Sequence, residues 1–324
     1  MNKKTVWVAA ALGILVAMPV AVMAQTYPVK TVRVVIPWPP GGTNDIVGRI
    51  VAQKLGESLG QQFVIDNRGG AAGSIGAEVA AKAPADGYTL MVHSATHLGN
   101  AHLYGKKLAY DTLKDFTGIS LLSAQPGALT AHPSLPVKTV PEFLKLARSR
   151  PGEILYSSSG NGSAPHLQMA LLMSMANLKL IHIPYKGGAP QITALVAGEA
   201  QVSFATIGTV INQIRQNRLR PLGVGSATRA RALPDVPTIA ESGVPGYEMN
   251  PWIAMFAPAN TPRPIIDRLN AEVAKILRMP DVVQKLEAQV LDPWPSTVDE
   301  FNAKIKVDYE KYGKLIQMTG AKVE

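Results

Sequence analysis

The run Val32-Arg33-Val34-Val35-Ile36 is followed by Pro37-Trp38-Pro39-Pro40-Gly41-Gly42-Thr43-Asn44-Asp45, then by an apolar stripe at Val47, Val51, Leu55 and Leu59. That order leaves little choice of local fold. A short β-branched run reads as a buried parallel strand. Apolar residues every fourth position make one face of a helix. The stretch between is a strand-to-helix loop, stiffened by prolines and opened by glycines that let backbone approach backbone or ligand. Thr43 or Asn44 is expected to cap the helix. Unpaired N–H groups at a helix start point the same way as the helix dipole, so the loop is suited to hold an anion.

Ahead of this unit stand Lys3 and Lys4, an apolar core from Val6 to Ala17, and Val22-Met23-Ala24. A basic start, a short apolar core and a small residue at the cut describe a signal peptide over residues 1–24, with Gln25 as the mature N-terminus. A retained anchor is the alternative, although the apolar core falls short of the ~20 residues of a spanning helix. An exported chain without cysteine has no disulfide, no thiolate metal site and no cysteine to carry a lipid. The net charge of +9 is dispersed along the sequence, which is not a nucleic-acid footprint. It supplies only a mild field that favours anions.

The strand–loop–helix unit recurs. Phe63-Val64-Ile65 runs into the Gly-rich stretch Asn67 to Ser74 and a helix from Ile75 to Ala83; Tyr88 to Val92 runs into Ser94-Ala95-Thr96-His97. This spacing predicts a doubly wound, largely parallel sheet, with ligand-binding loops beyond the carboxyl ends of its strands. Leu121 to Ala131 reads as an extended strand crossing into a second α/β series. There Thr139 and Glu142 make a capping box, and Ile154-Leu155-Tyr156 leads into Ser157-Ser158-Ser159-Gly160-Asn161-Gly162-Ser163. Further strands are expected at 180–183, 202–205 and 222–224. Trp252 to Phe256 reads as a second crossing strand, followed by helices from Pro264 and from Val298. The expectation is a split first domain, 25–122 with 248–324, and a continuous second domain, 123–247, joined by two crossing strands around a hinged cleft.

These stretches, with Asp66-Asn67-Arg68-Gly69-Gly70, Pro84-Ala85-Asp86-Gly87-Tyr88-Thr89, Pro184-Tyr185-Lys186-Gly187 and Leu233-Pro234-Asp235-Val236-Pro237, resemble in that order the Bug-type periplasmic solute-binding proteins. Those are the extracytoplasmic receptors of tripartite tricarboxylate transporters. The resemblance spans essentially the whole mature chain. It implies an α/β fold of the type II periplasmic-binding-protein kind, a periplasmic location, capture of a small organic carboxylate, and delivery to membrane transporter subunits. Neither cofactor nor nucleic acid is implied, and a monomer is expected. In the family the first loop grips a carboxylate through backbone N–H groups and ordered waters. Carried over, this nominates Trp38, Gly41, Gly42, Thr43 and Asp45 on the first wall, with Ser94 and Thr96 after the third strand. The opposite wall is Ser159, Gly160, Gly162, Ser163 and His166, joined by Tyr185, Gly187 and Thr206. Two departures bear on the ligand: Trp38 stands where the family often has Phe, and Ala205-Thr206 stand where many members carry Asp. Loss of that carboxylate weighs against an amino-acid ligand.

Other readings compete at single residues. Asp45 either orients loop amides or complements the helix dipole. Trp38 is either a cleft wall or a loop-packing aromatic. His166 is either a ligand donor or a packing residue. Lys186 is a candidate carboxylate partner, set against the usual solvated loop lysine. His93, His97 and His102 invite a metal, yet no acidic residue in that loop completes a set. Ala72-Gly73-Ser74-Ile75-Gly76 is a broken nucleophile elbow. A secreted hydrolase using Ser74 or a serine of 157–159 is therefore the alternative to a receptor, and a ligand-binding sensor for a signalling partner is a third reading. No dinucleotide fingerprint or Walker loop is present.

Overall fold

The computed structural model describes residues 27–320, so the signal-peptide reading lies outside the described residues. Two sheets share the chain. The first is built from β1 (Val32–Ile36), β2 (Phe63–Asn67), β3 (Thr89–Ser94), β4 (Phe116–Ala124), β10 (Trp252–Pro258) and β11 (Asp292–Pro293), in the order β11-β4-β10-β3-β1-β2. The second holds β5 (Gly127–Ala131), β6 (Leu155–Ser158), β7 (Ile181–Pro184), β8 (Val202–Thr206) and β9 (Arg220–Val224), in the order β7-β6-β8-β5-β9.

Period-two alternation sends each strand's side chains to two cores. Val32, Val34 and Ile36 of β1 pack with α1 (Thr43–Leu59), α8 (Arg263–Ile276) and α9 (Pro280–Glu287). Val35 faces the other way, with Met91 and Phe256, toward α2 (Ser74–Ala81), α3 (Thr96–Tyr104) and α10 (Val298–Thr319). The second sheet is covered on one face by α4 (Val140–Ser149) and α5 (Ala164–Ala176), and on the other by α6 (Gly188–Ala197) and α7 (Ile207–Arg215). No helix among the described residues is long and apolar enough to cross a membrane.

The sheets are less parallel than the spacing predicts. β1, β2 and β3 are mutually parallel, as are β6, β7 and β8, but β10 is antiparallel to both neighbours and β5 to both of its own. The segment Leu121–Ala131 is not one crossing strand. It is the end of β4 and all of β5, and the chain passes between sheets in Gln125-Pro126. Proline there removes a ladder donor and stops the strand. Trp252–Phe256 does not cross either: β10 lies inside the first sheet between β3 and β4. The return passage precedes it, where Gln125 N–H donates to Pro251 O (2.7 Å), Gly225 N–H to Gly127 O (2.8 Å) and Met249 N–H to Gly225 O (2.8 Å). Three helices escape the sequence reading. α3 occupies the stretch read as the loop Ser94–His97, α7 lies between the strands expected at 202–205 and 222–224, and α9 follows α8 after a break before Pro280.

Candidate functional site

Register fixes where the site lies. Ala124, the last residue of β4, pairs with Trp252, and Ile253 pairs with Ser94 at the carboxyl end of β3. Three residues beyond Ala124, Gly127 pairs with Thr206 at the carboxyl end of β8. Both passages therefore join the carboxyl ends of the two parallel trios. Each of those six strands leads to a helix, whose caps are Gly42, Gly73 and Ala95 on one side and Ser163, Gly187 and Thr206 on the other. Six helix N-termini thus gather at one cleft, each with unpaired N–H groups and the positive end of its dipole. The walls touch at its flanks: a Cβ on Gly162 would lie 2.6 Å from Leu103, and one on Gly208 would lie 2.1 Å from Gln289 O.

On the first wall the cap is Gly42 rather than Thr43 or Asn44, which occupy the first helical turn. A backbone cap without a side-chain bond leaves Thr43 and Asn44 N–H with no acceptor among the described residues, while Gly42 closes a turn over Pro40-Gly41. Asp45 does not reach outward. One carboxylate oxygen accepts Gly41 N–H (2.9 Å) and Arg49 Nε (2.9 Å), and the other accepts Asn67 Nδ2 (2.9 Å). Burial opposes its ionisation. The Arg49 guanidinium, the Gly41 amide and Asn67 outweigh that and hold its carboxyl below the ordinary value. Asn67 also donates to Trp38 O (3.0 Å), so one side chain ties β2, the loop and α1 together. Both glycines are exposed, but the Gly41 amide is spoken for by Asp45.

Trp38 is half-buried and meets His93 edge-on at 5.9 Å, with its indole N–H buried and unpartnered. Ser94 ends β3 and donates its amide to His93 Nδ1 (2.8 Å), and Thr96 opens α3 at 3% exposure. His93 and His97 are fully buried core residues: burial pushes His97 down to about 3, among Tyr110, Phe116 and Phe256. His102 is tied to Tyr309 O (2.9 Å), so the three histidines do not converge. Ser74 starts α2 with no imidazole hydrogen-bonded to it. The glycines of the elbow-like motif serve packing: a Cβ on Gly73 would meet His93 Nε2 at 2.5 Å, and one on Gly76 would meet Arg68 O at 2.7 Å.

On the second wall Ser157 and Ser158 belong to β6 and are fully buried, while Ser159 is half-exposed in the loop. Ser163 caps α5 but turns its hydroxyl to Gly160 O (2.7 Å). Gly162 donates its amide to His166 Nδ1 (3.0 Å), which makes the neutral ring's other nitrogen the proton carrier. His166 is 5% exposed and its Nε2 meets no partner among the described residues. Tyr185 has its hydroxyl on Glu199 (3.1 Å), Lys186 is exposed, and Gly187 caps α6 at φ +116°. Thr206 caps α7 without a side-chain bond. Sequence reasoning missed Arg49, Asn67 and His182, and weighed Ser158 only as one of the candidate nucleophiles at 157–159. Arg49 was findable as the i+4 partner of Asp45; the others depend on strand register, which no spacing reveals.

Ser158 and His182 are 2.6 Å apart, the reach of a nucleophile and its base, but no carboxylate orients the imidazole, and the Ser158 hydroxyl is buried against Gly160. The pair is structural.

Comparison with known proteins agrees with this geometry. The profile described as "Tripartite tricarboxylate transporter family receptor" matches residues 47–321. The chain is 33% identical over 319 residues to BugT of Bordetella pertussis, covering 97% of this chain and 98% of that protein. It is similar to the structure of R. palustris Rpa4515 with adipate at 34% identity and a TM-score of 0.85, covering 92% of this chain and 100% of the other. It is also similar to MatC of Rhodopseudomonas palustris with bound malate, at 31% identity and a TM-score of 0.80, covering 90% of this chain and 100% of the other. With two sheets joined at the ends of their parallel strands and a family match across most of its length, the chain belongs to the tripartite tricarboxylate transporter receptor family, as a Bug-type solute-binding receptor and not an enzyme.

Proposed function

We propose that this receptor works in the periplasm, captures a small organic carboxylate in the cleft, and hands it to a membrane transporter. The observation that carries the reading is the convergence of six helix N-termini, with the Thr43 and Asn44 amides without acceptors among the described residues. Similar chains hold adipate and malate, which favours a dicarboxylate of four to six carbons. One carboxylate sits on the Thr43 and Asn44 amides beside Trp38, with Ser94 and Thr96 at its edge. The far end meets Ser159, His166 Nε2–H, Gly187 and Thr206. Gly41, Gly42, Asp45, Gly160, Gly162 and Ser163 shape the loops, and Tyr185 flanks the second wall. Capture draws together the domains 25–122 with 248–324 and 123–247 about Gln125-Pro126 and Asn250-Pro251. A ligand that touches both walls binds the closed state better and so selects it.

The test is a thermal-shift series on protein starting at Gln25, refolded to strip carried ligand. Malate, adipate, citrate, benzoate, glutamate and a neutral amide form the panel. A ligand at a hundred times its Kd adds about 2.7 kcal/mol, which raises the melting midpoint by several degrees. A shift confined to carboxylates supports the reading. A shift with the neutral amide alone overturns it.

A further inference from the structure

Under the second wall three near-parallel rings cluster, with His182 touching the other two. Tyr156 and His182 are register partners on β6 and β7, with centroids 4.7 Å apart and planes at 15°. His182 then lies on His166 at 4.1 Å and 4°, nearly parallel. The edge of His182 bonds Ser158 through Nε2 (2.6 Å), and Ser158 in turn exchanges hydrogen bonds with Gly160 N–H and C=O (3.1 Å each). The 159–163 loop is thus held at two backbone points, Gly160 through Ser158 and Gly162 through His166, and His182 touches both supports.

We propose that His182 is a positioning residue for ligand capture: its ring, stacked on His166, keeps His166 a neutral imidazole that accepts the Gly162 amide at Nδ1 and offers Nε2–H to the cleft. The ligand part of this inference rests on the reading above. The proton count requires it. A protonated His166 has no lone pair at Nδ1 and releases Gly162, so the loop geometry exists only with the neutral ring. Two charged imidazoles face to face at 4.1 Å repel, so the pair cannot carry two charges, and the cover each ring gives the other disfavours even one. Burial pushes His166 down to about 4; burial and then the neighbouring His166 push His182 down to about 3. The other groups packed on these two rings are Tyr156 and Ser158, both neutral, and no carboxylate or cation acts on either imidazole. The second wall consequently reads a carboxylate with a neutral donor rather than a charge.

The chain has six histidines, so proton NMR titration of the full protein resolves each ring once single variants assign them. His166 is expected to stay neutral above pH 5 in the unchanged protein. In His182→Ala the ring loses its cover and titrates above pH 6. In His182→Phe the stack survives without the Ser158 bond, and His166 again stays neutral above pH 5. With adipate as the probe, the unchanged protein binds with the same Kd at pH 8 and pH 6. His182→Ala binds about tenfold more weakly at pH 8 and recovers toward pH 6, where a charged His166 attracts the anion. His182→Phe stays within about threefold of the unchanged protein. The proposal falls if His166 of His182→Ala titrates below pH 5, or if the Ala and Phe variants weaken binding equally, which assigns the effect to the Ser158 bond. Should no carboxylate bind the unchanged protein, the functional reading fails, while the ring titrations still decide the stack.

Discussion

The two walls solve one problem with opposite chemistry. In α1 the third helical residue, Asp45, accepts the amide of Gly41, the residue before the cap; in α5 the third helical residue, His166, accepts the amide of Gly162, again the residue before the cap. The same connection recurs far from the cleft, where Glu142 of α4 accepts Lys138 N–H (2.6 Å), so it is a general way to set a helix entry. At the cleft an ionised acid braced by Arg49 does it on one side, and a neutral, stacked imidazole does it on the other. A helix start is insensitive to which acceptor it receives, but pH and ligand charge are not. The first wall is fixed by charge already neutralised inside the protein, and the second by burial.

Acid should separate groups held by burial from groups held by charge most sharply. His93, His97, His166 and His182 are all held by burial below the ordinary 6.5. Below that value the unfolded chain takes up protons that the folded chain refuses. Stability is therefore full above pH 6.5 and falls with pH until the folded values near 3 to 4 are reached. Each imidazole costs about 2 kcal/mol by pH 5. Asp45 follows only lower, because its contribution is present above the ordinary carboxylate range and is lost as pH falls through its depressed value. Urea midpoints at pH 7.5, 6 and 5 measure this; an unchanged midpoint at pH 5 contradicts buried neutral imidazoles in both halves of the molecule.

Asp45→Ala removes the acceptor of three donors at once and should cost about 2–3 kcal/mol. His166→Ala removes the acceptor of one amide and should cost about 1–2 kcal/mol. Equal losses in denaturant unfolding at pH 7.5 erase the contrast. His97→Phe should gain about 1–2 kcal/mol at pH 7.5, since both ring nitrogens are buried without partners among the described residues, and more at pH 5. A destabilised His97→Phe protein shows that the imidazole is not merely packed. The smallest effect belongs to Gly42→Ala. Its backbone is ordinary (φ −77°) and a Cβ finds Pro39 O no nearer than 3.6 Å, so the melting midpoint stays within about a degree, for a change under about 0.5 kcal/mol. Weakened carboxylate binding in that stable variant locates the ligand against the loop, and unchanged binding removes it.

The local elements of the first wall were legible because their causes are local. The β-branched run of β1, the glycines at 41 and 42 and the i+4 stripe of α1 act within a few residues of one another. Of the stripe read from Val47, Val51, Leu55 and Leu59, the first three are buried to 0% and Leu59, in the last turn, is half-buried. α3 was hidden because a strand running straight into a helix, capped by Ala95, carries no punctuation. The crossing was half legible: Pro126 marked the break, but no pattern tells that β10 inserts between β3 and β4.

What the sequence by itself determined, then, is the repeating strand–Gly loop–helix unit and the anion-friendly helix starts, since dihedral preference and hydrophobic period are properties of neighbouring residues. What only the tertiary structure decided is which loop amides are spent and which are free. Gly41 is claimed by Asp45, Gly162 by His166, and His166 is held by a ring from another strand. The first two links span only four residues; the groups that brace them, Asn67 on Asp45 and His182 on His166, come from other strands, where a side chain has a partner only after register and packing have brought the segments together.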